Sequence, residues 1–170
     1  MTAPLRVRTA RTEDVPSIAA MNAALALETE GKRLSASVLR RGAARAVRAR
    51  ALGRFFVAER DDAVVGQALL TYELSDWSDG ITAWFQSVYV RPDARRHGVF
   101  RALFDHVIAF AARNPDIRAV RLHVDRDNRT AKAVYRRLGF APDSYEVLTL
   151  RAGRSSSGGS RSSRGRGRSA

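Results

Sequence analysis

The chain has 170 residues, 45% of them hydrophobic, enough for one domain with an ordinary core that needs neither disulfide nor metal to hold it. It contains no cysteine, which excludes disulfide frameworks, thiolate metal sites and cysteine nucleophiles together. Its net charge of +13 is uneven, because residues 151–170 hold six of the 30 basic residues and none of the 17 acidic ones, leaving +7 on the rest.

Such a charge favours anionic partners, whether nucleic acid, a phosphorylated cofactor or an acidic surface, and does not choose among them. The N-terminus has no apolar signal stretch, and no window approaches the roughly 18 apolar residues of a membrane span. These features predict a soluble, cytoplasmic protein with no membrane partner.

In chain order, Leu5 to Thr9 alternates as a short strand, and Thr12-Glu13-Asp14 with Pro16 marks the start of a helix. That helix carries Ile18, Met21 and Leu25 at helical spacing, with Gly31 as its stop. Ser35 or Ser37 caps a second helix reaching to about Leu52. Phe55 to Glu59 and Val64 to Leu74, around the Asp61-Asp62 turn, predict an antiparallel hairpin. Thr82 to Val90, stopped by Arg91-Pro92, is a further strand.

Phe100, Leu103, Phe104, Val107, Ile108 and Ala111 then mark the apolar face of a helix that ends near Asn114-Pro115. A strand over Arg118 to Val124, a short helix over Asn128 to Leu138 closed by Gly139, and a last strand over Tyr145 to Leu150 complete the order βααβββαβαβ. Antiparallel strands followed by a crossover helix predict an α/β (α+β) fold, a mixed, mostly antiparallel sheet with helices on both faces. The domain spans residues 1–152. Residues 153–170 are almost entirely Arg, Ser and Gly, which predicts a disordered tail.

The segment from Val88 to Arg101 joins a strand, a basic loop with one glycine and the start of an apolar-faced helix. It is an anion cradle in physical terms: a helix N-terminus presents N–H groups and partial positive charge, Gly98 allows close backbone approach, and Arg95, Arg96 and Arg101 add formal charge. An ordinary strand-to-helix connection with solvated arginines is the alternative for this segment alone.

A second segment, Asn128-Arg129-Thr130-Ala131-Lys132-Ala133-Val134-Tyr135-Arg136-Arg137-Leu138-Gly139-Phe140, makes the pair specific. Arg95-x-x-Gly98-x-x resembles the start of the Q/R-x-x-G-x-G/A loop of the GNAT N-acetyltransferases, and Asn128 to Phe140 resembles their N-x-x-A-x-x-x-Y-x-x-L-G-F helix. The spacing of one helix and one strand between them is also that of the family, and the resemblance covers nearly residues 5–150. One position departs: Phe100 stands where the family has Gly or Ala, and its place in the apolar stripe predicts a ring turned to the core.

The resemblance implies transfer of an acetyl group from acetyl-CoA to a primary amine by direct attack in a ternary complex. It implies that main-chain groups of Val88, Tyr89 and Val90 line the pantetheine arm, that the loop Arg95, Arg96, His97, Gly98, Val99, Phe100 and Arg101 holds the diphosphate, and that Asn128 bonds the arm. Tyr135 is implied as the acid that protonates the departing thiolate. Core packing is the other reading of Tyr135, because Ala131, Val134, Tyr135 and Leu138 form one helical stripe.

The amine must also lose a proton, and the strand before the loop offers Gln86 and Ser87, neither a base. Glu28, Glu30 and then Glu73 are the first candidates, with Asp76 and Asp79 behind them, and Trp77, Trp84 and Phe85 are candidate walls of the acceptor pocket. His97, His106 and His123 lack metal-ligand spacing, so no metal is expected.

The expected partners are an amine on a small molecule or peptide, a second copy in a homodimer, and weak nonspecific nucleic-acid contact through the tail. A different acyl-CoA, or a protein amine as acceptor, is the alternative within the family. A basic nucleic-acid-binding protein is the alternative outside it.

Overall fold

The structure is a computed structural model that describes residues 3–150, so the expected tail, residues 153–170, lies outside the described residues. The chain forms two compact units that divide between Asn128 and Arg129.

The first unit contains β1 (Arg6–Thr9), α1 (Val15–Glu30), α2 (Ala36–Arg48), β2 (Gly53–Arg60), β3 (Ala63–Ser75), β4 (Gly80–Val90), α3 (Val99–Ala112) and β5 (Ile117–Arg121), with short 3-10 turns at Thr12–Asp14 and Pro92–Ala94. The strands lie in the order β1-β2-β3-β4-β5. All neighbours are antiparallel except β4 and β5, which run parallel because α3 crosses over between them. The mixed, mostly antiparallel sheet is the expected one.

Strand periodicity puts helices on both faces. Phe55 and Val57 of β2 pack with Ile18 of α1 and Ala43 of α2, whereas Phe56 between them meets the rings of His106 and Phe110 on α3, at 5.4 and 5.3 Å. A strand buried on both sides is apolar without interruption, as Phe55-Phe56-Val57-Ala58 is. Gly66 brings α3 close to the sheet: a Cβ there would lie 2.8 Å from Val99 Cγ1 and 3.2 Å from Leu103 Cδ1.

Asp14 fixes the entry to α1. Its carboxylate accepts the Arg11 N–H at 2.7 Å and both Arg8 terminal nitrogens at 2.7 and 3.0 Å, while Arg8 also donates to Glu59 on β2 at 2.8 Å. Burial pushes this carboxyl upward, but the bonds from Arg8 and the Arg11 amide outweigh it and hold it below the usual carboxylate range. Gly31 ends α1 at φ +63°, with its own N–H and that of Lys32 returning to the Leu27 and Ala26 carbonyls at 3.1 and 3.2 Å. Ser35 stands just ahead of α2 with its hydroxyl 3.0 Å from that of Ser37, and the helix stops at Arg48, short of the expected Leu52.

The second unit holds α4 (Arg129–Arg137), closed at Gly139 (φ +94°) by the Phe140 N–H on the Tyr135 carbonyl at 3.0 Å. The strand expected over Tyr145–Leu150 does not form, and Tyr145, Val147, Leu148 and Leu150 are all exposed. The β-branched and aromatic composition that suggested it describes a half-buried surface. A strand needs ladder bonds to a neighbour and a face to cover, and composition alone does not make one.

Candidate active site

β5 is registered against only the first half of β4. The pairs run from Ile81 with Ile117 to Trp84 with Arg121, where β5 ends while β4 continues to Val90. From Phe85 onward no strand among the described residues pairs with that edge of β4, and this open edge beyond the end of β5 is the fork of the sheet.

Within the fork β4 carries a bulge. Gln67 faces Tyr89 and Leu69 faces Gln86, so Ser87 and Val88 together oppose Ala68, and Ser87 takes φ +48°. The extra residue reverses the side-chain parity. Phe85 packs toward α3 against Phe104, yet Tyr89, also odd-numbered, reaches α1, where its hydroxyl donates to Glu28 Oε1 at 2.6 Å.

Gln67 holds the bulge from beneath. It is fully buried, and its Nε2 donates to Asn22 Oδ1 of α1 at 2.6 Å and to the Ser87 carbonyl at 3.2 Å.

Beyond Val90 the chain turns through Pro92–Ala94 into Arg95, Arg96, His97 and Gly98, all exposed. Arg96 and Gly98 are left-handed at φ +65° and +77°. The first bond inside α3 runs from the Ala102 N–H to the Gly98 carbonyl at 2.9 Å, so the amides of the preceding turn point out of the helix end. A Cβ on Gly98 would meet no atom of the described residues within 4 Å, which leaves the approach to those amides open among them.

Val99 is the residue buried at this turn, facing Gly66. Phe100 is half-buried and stacked along Phe104 at 6.3 Å, extending the apolar stripe. Arg101 pairs with Asp105 one turn along at 2.8 Å.

Arg95 is tied down: its Nε donates to the Val90 carbonyl at 3.0 Å and a terminal nitrogen to Glu28 Oε2 at 2.6 Å. Both Glu28 oxygens are therefore taken. The Tyr89 hydroxyl first and the Arg95 guanidinium second hold the Glu28 carboxyl below its ordinary range, while burial and the same carboxylate push the Tyr89 phenol up.

Of the other candidate bases, Glu30 is exposed and pairs with Lys32. Glu73 accepts the Trp84 indole N–H at 2.7 Å. Asp76 and Asp79 lie in the turn between β3 and β4, at the end of β4 opposite Val90.

Phe85 belongs to the core and Trp77 is exposed, so Trp84 alone of the three candidate aromatics stands on the α1 side of β4 beside the fork. Asn128 ends a turn in which its N–H meets the Asp125 carbonyl at 3.2 Å. In the second unit Tyr135 meets Phe140 edge-on at 5.7 Å, and burial raises its phenol above the usual range. Among the described residues no group of three or more His, Asp or Glu could hold a metal, and no helix is long and apolar enough to cross a membrane.

Sequence reasoning missed Asn22, Gln67 and the bulge at Ser87. A glutamine inside the apolar run of β3 was the available signal, since buried amides are kept where they bond.

The site is thus a mixed sheet forked at its parallel pair, a bulged strand and an open, glycine-led helix end. The family model described as the acetyltransferase (GNAT) family matches residues 22–140, and the chain belongs to that family.

A possible acetyltransferase from Clostridium difficile 630 is 36% identical, with a TM-score of 0.83 over 88% of this chain and 99% of that one. The ribosomal-protein-alanine N-acetyltransferase from Brucella melitensis biovar Abortus 2308 shares the fold at 21% identity, with a TM-score of 0.69 over 88% of this chain and all of its own. A predicted acetyltransferase from Clostridium acetobutylicum, solved with acetyl-CoA, does so at 19% identity, with a TM-score of 0.68 over 87% and 96%. No curated protein matches the chain.

Proposed function

We propose that the protein transfers an acetyl group from acetyl-CoA to a primary amine, on a small molecule or a peptide, by direct attack in a ternary complex. The observation that carries this reading is the fork between β4 and β5 leading to the open end of α3. The fork leaves strand-edge main chain available to a linear amide-bearing arm, and the helix end supplies amides and positive charge for a diphosphate. The residues present fit acetyl-CoA, because the cradle at Gly98 is open and Phe100 lies along Phe104. Acetyl-CoA, when bound, supplies the activated acyl carbon.

In this reading the amides from Arg95 to Arg101 bind the diphosphate, main-chain groups of Val88, Tyr89 and Val90 hold the pantetheine arm, and Asn128 bonds it. Glu28 serves as a strut: engaged by Tyr89 and Arg95, it keeps the loop against the end of α1 and is a poor proton acceptor. Gln67 fixes the bulge and hence the main chain at Ser87 and Val88. Tyr135, its phenol kept protonated by burial, supplies the proton to the leaving sulfur.

The test is thermal. Millimolar acetyl-CoA is expected to raise Tm, because a ligand that binds only the folded state stabilises it. Gly98→Glu is expected to abolish that rise by placing a carboxylate at the cradle in a left-handed position. An unchanged Tm for the parent protein, or a full shift in Gly98→Glu, refutes the reading.

A further inference from the structure

Direct attack requires a neutral amine, and the carboxylates of Glu28 and Glu73 are engaged: Glu28 by Tyr89 and Arg95, Glu73 through one oxygen by Trp84. At the fork itself stands a different group. The His123 ring stacks on the Trp84 indole with centroids 4.5 Å apart and planes inclined by 17°. Trp84 is the last β4 residue paired with β5, and His123 lies two residues past its partner Arg121, so the stack sits where the strands part. It lies on the α1 face, because Ala83 and Phe85 on either side of Trp84 are buried and Phe85 points to α3.

His123 is exposed, and neither ring nitrogen has a hydrogen-bond partner among the described residues. The charged groups set against the stack are Glu73, which accepts the indole N–H, and Arg121, whose guanidinium carbon lies 6.0 Å from the Trp84 ring centre.

We infer that His123 takes the proton from the acceptor amine, with Trp84 as the platform that fixes its ring and Glu73 as the negative charge that draws in the ammonium form. The inference rests on the acetyltransferase reading above. Imidazole is the side chain whose ordinary protonation equilibrium lies closest to neutrality, which suits this step.

The ammonium gives one proton to a neutral ring nitrogen of His123. The freed lone pair forms the new N–C bond as the C–S bond breaks. The proton that the nitrogen then sheds goes to the departing sulfur, and His123 returns its own to water. Atoms and charge balance with no further reactant.

The place of the imidazole is testable without knowing the acceptor. Bromoacetyl-CoA carries an electrophilic carbon at the acetyl position, and an imidazole beside it displaces bromide to form an N–CH2 bond. The chain has no cysteine, so no thiol competes.

Peptide mass spectrometry is expected to find one adduct, on His123, suppressed by excess acetyl-CoA and absent from His123→Gln. Its rate is expected to fall at least about tenfold in Trp84→Ala, in which the ring is no longer held in place. An adduct on Glu28, Glu73 or His97 in its place overturns the inference. So does a lack of adduct in a protein whose Tm acetyl-CoA raises. If acetyl-CoA neither raises Tm nor protects, the acetyltransferase reading itself fails, and the role of His123 with it.

Discussion

Replacing Gln67 by Leu tests whether the bulge of β4 is held or merely present. The side chain is fully buried, and Nε2 spans α1 and β4 through Asn22 and the Ser87 carbonyl. Leucine keeps much of the volume and removes both bonds. Each intramolecular hydrogen bond is worth about 1 kcal/mol net. Asn22 and Ser87 are only half-buried, so water can reach part of what is lost. Gln67 Oε1 is buried with no hydrogen-bond partner among the described residues, and its removal gives some stability back.

The expected cost is therefore about 1–3 kcal/mol, below that of an orphaned buried charge. At roughly 2–4 °C per kcal/mol for a chain of this size, Tm falls by roughly 2–12 °C. Asn22→Ala, which leaves the bond to Ser87, is expected to cost less. A second consequence separates clamping from simple packing. Ser87 sits at φ +48°, a conformation that a serine holds only when its surroundings impose it. Loosening it is expected to shrink the acetyl-CoA-induced rise in Tm beyond what the lower baseline explains. Thermal melts of the two variants with and without acetyl-CoA decide the point. A Gln67→Leu protein with the parent Tm and the parent ligand shift would refute the reasoning.

Tyr135→Phe is expected to lower kcat by about 10–1,000-fold while leaving acetyl-CoA affinity near its parent value, because the lost hydroxyl acts on the developing thiolate; equal kcat for any amine acceptor would reduce Tyr135 to packing. Asp14 gives a pH prediction with a definite sign. Its folded-state carboxyl lies below the unfolded value, so the stability it contributes is complete above the unfolded pKa and is lost as pH falls through the folded one. Asp14→Asn is expected to lower Tm at pH 7, by about 1–3 kcal/mol in stability since Arg8 keeps Glu59, and to flatten the acid limb of a Tm-against-pH curve; parallel curves would show that Asp14 plays no part. Gly66→Ala is expected to destabilise by about 1–3 kcal/mol, because its Cβ meets Val99 at 2.8 Å and pushes α3 off β3, and an unchanged chemical-denaturation midpoint would contradict that contact.

The sequence alone determined the element order from β1 to α4, the stop of α1 at Gly31, and the glycine-led start of α3. Each is written in neighbouring residues: a cap, a left-handed glycine, an apolar stripe of period 3.6. The two motif segments, Arg95 to Gly98 and Asn128 to Phe140, were legible for the same reason.

What only the tertiary structure decided depends on pairing and register. Tyr145 to Leu150 had the composition of a strand and forms none, because a strand is made by its pairing and not by its composition. Alternation along β4 sets Trp84 and Phe85 on opposite faces but fails at Tyr89, because the bulge at Ser87 and Val88 inserts one residue and turns Tyr89 toward Glu28. Glu28 looked like a free base in sequence and is bound by partners 61 and 67 residues away. His123 offered no signal until β4 and β5 were in register and Trp84 lay beneath it. Local propensity and spacing act within a few residues, whereas register, bulges and the company a charged side chain keeps are fixed by contacts between distant segments, which form only when the sheet does.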